Sequence, residues 1–151
     1  MNITKAAVLG AGTMGAGIAA HLSNAGIPTL LLDIAPSELT EAEAAKGLTL
    51  ESRQVRNRIV NLLFDAAKKL KPAPFMLGDN AKLITTGNFT DDLAKIKDCD
   101  FVIEAVVENL EIKHKLYAEV DKYRKPGAVI ASNTSGIPID SIAEPFSDDF
   151  K

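Results

Sequence analysis

The apolar run Ala6-Ala7-Val8-Leu9 leads straight into Gly10-Ala11-Gly12-Thr13-Met14-Gly15, and this junction constrains the fold more than any other stretch of the chain. A buried strand that turns sharply into a helix needs a glycine at the turn, and the spacing assigns each glycine its own task. Gly10 permits the turn. Gly12, lacking a Cβ, lets an anionic group approach the backbone, and Gly15 lets the helix lie close to the strand. Unpaired N–H groups at the helix start, together with its dipole, attract a phosphate.

The following residues extend the pattern. Met14 to Asn24 reads as a helix with Met14, Ile18 and Leu22 on one face, stopped by Asn24-Ala25-Gly26. A second apolar run, Thr29 to Leu32, ends in Asp33. An acid about 20 residues after the glycines is where a dinucleotide fold binds the adenosine ribose hydroxyls. Such an acid repels a ribose phosphate, which favours NAD over NADP. The competing reading of Asp33 is a cap on the turn before Pro36.

Further strands are expected at Lys82 to Thr85, Phe101 to Ala105 and Ala128 to Ala131, with helices near Asp91 to Ile96 and at Asn109 to Tyr123. Near-continuous apolar strands alternating with helices describe an α/β fold, a doubly wound parallel sheet of Rossmann type. The stretch from Ser37 to Lys71 is too long for a simple crossover. Leu48, Val55, Ile59, Leu62, Leu63, Phe64 and Leu70 recur at helical spacing there, giving a helix pair or one bent helix as an excursion after the second strand. Its other face carries Arg53, Arg56, Arg58, Lys68, Lys69 and Lys71, either as a solvated surface or as a seat for a large anionic substrate.

The chain has 151 residues, enough for one domain, 1–151, and its net charge of -3 argues against a nucleic-acid partner. No apolar run reaches a membrane span, and Met1 to Lys5 leads into a strand instead of a signal peptide. A single cysteine, Cys99, cannot form an internal disulfide, and these features together suit a cytoplasmic protein. Between Asp98 and Asp100, Cys99 is a poor nucleophile. No metal site is expected.

Two polar segments follow the fourth and fifth strands: Glu104-Ala105-Val106-Val107-Glu108-Asn109, leading to Lys113, and Ser132-Asn133-Thr134-Ser135-Gly136. Both lie at carboxyl ends of parallel strands, the edge at which open α/β sheets bind ligands. Taken singly, Glu108 also reads as a helix-start charge and the Asn133 to Ser135 run as a capped turn before Pro138.

With Gly10 to Gly17 and Asp33, these segments resemble the NAD-binding domain of L-3-hydroxyacyl-CoA dehydrogenases over nearly the whole chain, and Lys71 to Phe75 with Leu83 to Asn88 look most like the large bifunctional fatty-acid oxidation enzymes. The resemblance implies that Gly10, Ala11, Gly12, Thr13, Met14 and Gly15 hold the pyrophosphate and Asp33 the ribose. Ala105, Val106 and Asn133 complete the cofactor set, with Glu108 and Lys113 near the nicotinamide. Ser135 matches the serine that meets the substrate's 3-hydroxyl group, the one catalytic position carried over. In similar enzymes a basic helix end near Lys68 and Lys69 contacts coenzyme A. The implied partners are an acyl-CoA substrate, a C-terminal dehydrogenase domain and an enoyl-CoA hydratase module.

The family's general base is a histidine in a His-Phe-Phe-Asn-Pro strand that would follow the serine loop, and the chain as given ends at Lys151 before it. His21, on the first helix, and His114, on the solvent side of a later one, do not replace it. The same ending removes a sixth strand, so the fifth should be an exposed edge prone to self-association. The expectation is a domain that binds NAD without turnover by itself. A regulatory NAD-binding module is the alternative, and an S-adenosylmethionine methyltransferase accounts poorly for Glu108 and the Asn133 to Ser135 loop.

Overall fold

The computed structural model describes residues 2–148 and Phe150. Its elements run β1 (Ala6–Leu9), α1 (Thr13–Asn24), β2 (Thr29–Asp33), α2 (Glu41–Ala45), α3 (Arg53–Arg56), α4 (Arg58–Lys68), β3 (Ile84–Asn88), α5 (Phe89–Asp92), β4 (Phe101–Glu104), α6 (Leu110–Tyr123), β5 (Val129–Ser132) and α7 (Ile139–Ala143). Two 3-10 stretches, Gly78–Leu83 and Leu93–Asp98, precede β3 and β4. All strand pairings are parallel, in the order β3-β2-β1-β4-β5.

Alternation along the central strands explains the layers. Ala6 and Val8 share a cluster with Leu31 of β2 and with Ala19, Leu22 and Val60, supplied by α1 and α4. Ala7 and Leu9 face the other way, onto Leu93, Ile96, Leu116, Tyr117 and Val120. Both faces are covered, which is what the continuous apolar runs required. The register sets Leu9 beside both Leu32 and Glu104, Asp33 beside Asn88, and Glu104 beside Ser132. Five strand ends and the loops behind them are thereby brought to one edge.

Several local expectations change. Helix α1 buries Gly15, Ala16, Ala19, Ala20, Leu22 and Ser23, whereas Met14 is 59% exposed, so the face against the sheet is the small-residue one. Close approach to β1, imposed by the glycines, leaves no room for a larger row. Strand β3 begins at Ile84 and not at Lys82, because its register with Thr29–Asp33 runs through Thr85, Thr86 and Gly87. As an edge strand with a solvated side it tolerates polar residues. β5 is likewise shifted by one residue, to Val129–Ser132, and among the described residues pairs only with β4.

The excursion after β2 is three helices, not a pair or one bent helix. Gly47, at φ 70°, follows α2, and the buried Asn57, between α3 and α4, accepts a hydrogen bond from Asn88 Nδ2 at 2.7 Å. Helix α4 meets the sheet through Val60 and Phe64, leaving Leu62 and Leu63 exposed, as is Leu70 just beyond its end. Its basic neighbours are matched by acids from other elements: Arg56 binds Asp91 and Glu51, and Arg58 binds Glu43. Lys68 pairs with Asp65 and lies over the Phe64 ring. Helix α7 had no sequence signal.

Candidate dinucleotide site

The glycine loop has the geometry its spacing requires. Gly10 adopts φ +107°, and a Cβ there would sit 2.5 Å from the Ala105 carbonyl oxygen. A Cβ on Gly15 would overlap the Gly10 carbonyl oxygen and lie 2.9 Å from its carbon. Gly12 differs from both: a Cβ would meet nothing within 4 Å, so the backbone at the N-cap of α1 fronts open space. That opening, at a helix start with no side-chain cap, fits a phosphate. Thr13 and Met14 are exposed in the first turn.

Asp33, at the end of β2, accepts from Ala11 N at 2.6 Å and from Ile34 N at 2.7 Å. It therefore braces the glycine loop and caps its own turn, and its side chain is half-buried at the end of β2.

On the other side of β1, Ala105 and Val106 are half-buried after β4, and Ala105 N donates to Leu9 O at 2.8 Å. Glu108 is exposed and its Oε2 accepts from Thr134 Oγ1 at 2.7 Å, joining the loops after β4 and β5. Asn133 N donates to Glu104 O at 2.7 Å, while Asn133 and Ser135 present exposed side chains. Asn109 caps α6 by accepting from Ile112 N. The structure thus brings every proposed site residue to one edge of the sheet, with one difference in depth. Lys113 is wholly buried, and its ammonium lies 2.8 Å from both carboxylate oxygens of Glu104 and 3.9 Å from Glu108 Oε1.

No sequence motif marks Glu104. It is fully buried and also accepts from Val106 N at 2.7 Å, Ser132 Oγ at 2.6 Å and Tyr117 OH at 3.3 Å. Burial and this carboxylate push the Tyr117 phenol well above its usual range. The available signal was an acid closing an otherwise apolar strand, since a buried charge demands a partner.

Neither histidine reaches this edge. His21 is exposed on α1, and His114, expected on the solvent side, is half-buried with Nε2 2.9 Å from Ser141 O. Its ring meets Phe146 edge-on, because α7 and the residues behind it fold over α6. Cys99 is buried, and burial pushes its thiol up to about 11. Among the described residues no cluster of metal-ligating side chains occurs, and no helix is long and apolar enough to cross a membrane.

A doubly wound parallel sheet, an open glycine backbone at a helix start and an acid closing the second strand define a dinucleotide-binding domain. Residues 5–151 match the model of the family described as 3-hydroxyacyl-CoA dehydrogenase, NAD binding domain. The chain belongs to this family, and its dinucleotide is NAD. It is 54% identical over 150 residues to a protein named probable 3-hydroxyacyl-CoA dehydrogenase in Bacillus subtilis, covering 99% of this chain and 19% of that protein. A fatty acid oxidation complex subunit alpha from Psychrobacter sp. is 36% identical, over 94% of this chain and 18% of that one. Among solved structures, a (S)-3-hydroxybutyryl-CoA dehydrogenase from Ralstonia eutropha superposes with a TM-score of 0.64 at 30% identity, over 98% of this chain and 47% of that chain. The chain thus spans about a fifth of the first two relatives and less than half of the third.

Proposed function

We propose that this chain is the cofactor platform of an NAD-dependent oxidoreductase that converts the 3-hydroxyl of an L-3-hydroxyacyl-CoA to a ketone in fatty-acid β-oxidation. NAD, when bound, supplies the acceptor for the hydride that leaves the carbinol carbon. Gly10 to Gly15 hold the pyrophosphate and Asp33 the adenosine ribose. Ala105, Val106, Glu108 and Asn133 border the nicotinamide, and Lys113 supports them from below. Ser135 orients the substrate hydroxyl. The observation that carries this reading is the Glu108–Thr134 hydrogen bond, which ties the post-β4 loop to the loop that carries Ser135 on the glycine-loop edge.

The proton released from the hydroxyl needs a base with a pKa near working pH. His114 is engaged with Ser141 and His21 lies on α1, so the base belongs outside these residues, in a further dehydrogenase domain of the same polypeptide. The short share of the relatives that this chain covers supports such a domain, and the fatty acid oxidation complex relative supports a hydratase module beside it. A cytoplasmic setting fits this chemistry.

Calorimetric titration with NADH, NADPH and S-adenosylmethionine tests the cofactor half, with NADH alone expected to bind tightly. Acetoacetyl-CoA reduction tests the other half: the isolated chain should show negligible turnover. Measurable reduction would place a base within these residues. The placing of both histidines away from the cleft also suits a regulatory NAD-binding module, which gains ground if no acyl-CoA binds alongside NADH.

A further inference from the structure

Building on the cofactor reading above, we propose that Glu104 is a positioning residue that sets the wall of the nicotinamide end of the cleft. It closes β4 with no exposed surface, so it touches no ligand. A carboxylate there is tolerated only if its charge is matched and its lone pairs are used. The groups that match it come from three separate pieces of the cleft. Val106 N belongs to the turn after β4, at 2.7 Å; Lys113 Nζ belongs to α6, at 2.8 Å to both oxygens; and Ser132 Oγ ends β5, at 2.6 Å. The Glu104 main chain adds a fourth tie, accepting from Asn133 N.

From this anchor a chain of polar contacts runs to the surface. Lys113 lies 3.9 Å from Glu108 Oε1, and Glu108 Oε2 accepts from Thr134 Oγ1, one residue before Ser135. A dinucleotide with its pyrophosphate on Gly12 and its adenosine ribose at Asp33 lays its other half over the ends of β4 and β5. That is the wall Glu104 braces. Lys113 is shared between two carboxylates, with Glu104 holding it by a closely matched pair of hydrogen bonds. Removing the Glu104 charge leaves Glu108 as the only close carboxylate, among the described residues, for a buried ammonium. Glu108 is then drawn inward and off Thr134, and the wall shifts while the adenosine side is untouched.

The test compares NADH with ADP-ribose, which shares the adenosine and pyrophosphate but lacks the nicotinamide, on the 151-residue chain. Glu104→Gln keeps the side-chain shape and should weaken NADH about tenfold while leaving ADP-ribose within about twofold of the parent. Ser132→Ala removes one tie from a half-buried position and should weaken NADH about threefold with ADP-ribose unchanged; it decides the matter alone if Glu104→Gln does not fold. Parallel loss of both ligands would mean that Glu104 only holds the fold together, and unchanged NADH affinity would mean that the wall does not depend on it. Either result overturns the proposal. If the parent chain binds neither ligand, the cofactor reading falls first and this proposal with it.

Discussion

Gly12 and Gly15 sit three residues apart in one loop, yet alanine at each should fail in a different way. At Gly15 a Cβ would overlap the Gly10 carbonyl oxygen and come within 2.9 Å of its carbon. Ordinary carbon–carbon contacts lie near 3.5–4.0 Å, so α1 must back away from β1 along its whole small-residue face. Overpacking of this kind costs about 3 kcal/mol, offset by about 1 kcal/mol of helix propensity. The net loss, about 2 kcal/mol, lowers Tm by roughly 4–8 °C for a chain of this size. At Gly12 the backbone, at φ -58° and ψ -177°, is open to any residue and a Cβ would meet nothing within 4 Å. Reduced freedom of the unfolded chain contributes about 0.4–1 kcal/mol, and the poorer N-cap removes a similar amount, so Tm should move by about 2 °C or less. The added methyl fills the space a phosphate oxygen needs, forfeiting charge-assisted bonds to the backbone worth about 2 kcal/mol, or about 30-fold in NADH affinity. Thermal melts followed by circular dichroism, paired with calorimetric NADH titrations, read both quantities. A Gly12→Ala chain that binds NADH like the parent would refute the phosphate placement, and one that melts as early as Gly15→Ala would refute the open-space reading.

Other outcomes follow from groups outside the loop. Lys125, 2.5 Å from Asp100 Oδ1, and the Thr4 hydroxyl and amide hold the Asp100 carboxyl well below the usual carboxylate range. A depressed folded pKa stabilises above the unfolded value of about 3.9 and loses that contribution as pH falls below it. The urea midpoint of Asp100→Asn should therefore lie below the parent's by a constant amount above about pH 5, with the gap closing under about pH 4; a gap that widens in acid would contradict this assignment. Cys99, with its thiol at about 11 and its side chain buried, should react with a disulfide reagent at pH 8 at least about a hundredfold more slowly in the folded chain than in urea. Rapid labelling of the folded protein would show that the site opens. Among the described residues β5 pairs only with β4 and leaves Val129 44% exposed, so light scattering should detect self-association that Val129→Lys reduces. A clean monomer at high concentration would remove the edge as a contact.

Much of this was legible because it is written in short-range patterns. Ala6 to Leu9, the glycine spacing and Asp33 lie within one strand-turn-helix-strand unit, where sterics and periodicity act between near neighbours. Less legible were the excursion and β3, whose form depends on distant partners. Asn57 breaks the excursion while bound to Asn88, and Leu83 beside Ile84 makes Lys82 to Thr85 look like one strand, although Lys82 and Leu83 turn in a 3-10 stretch. His114 read as solvent-facing because its position on α6 is polar on both sides; only α7, folding across it, buries the ring.

By itself the sequence determined the turn of the glycine loop, the run of buried apolar strands and the polar loops after β4 and β5, because each is written in a few consecutive residues. Only the tertiary structure decided that Glu104 and Lys113, nine residues apart, form a buried pair, and that Ser132 and Val106 join it. A charge inside a protein is stabilised by whatever the fold carries to it, and those partners arrive from three elements that no local pattern connects.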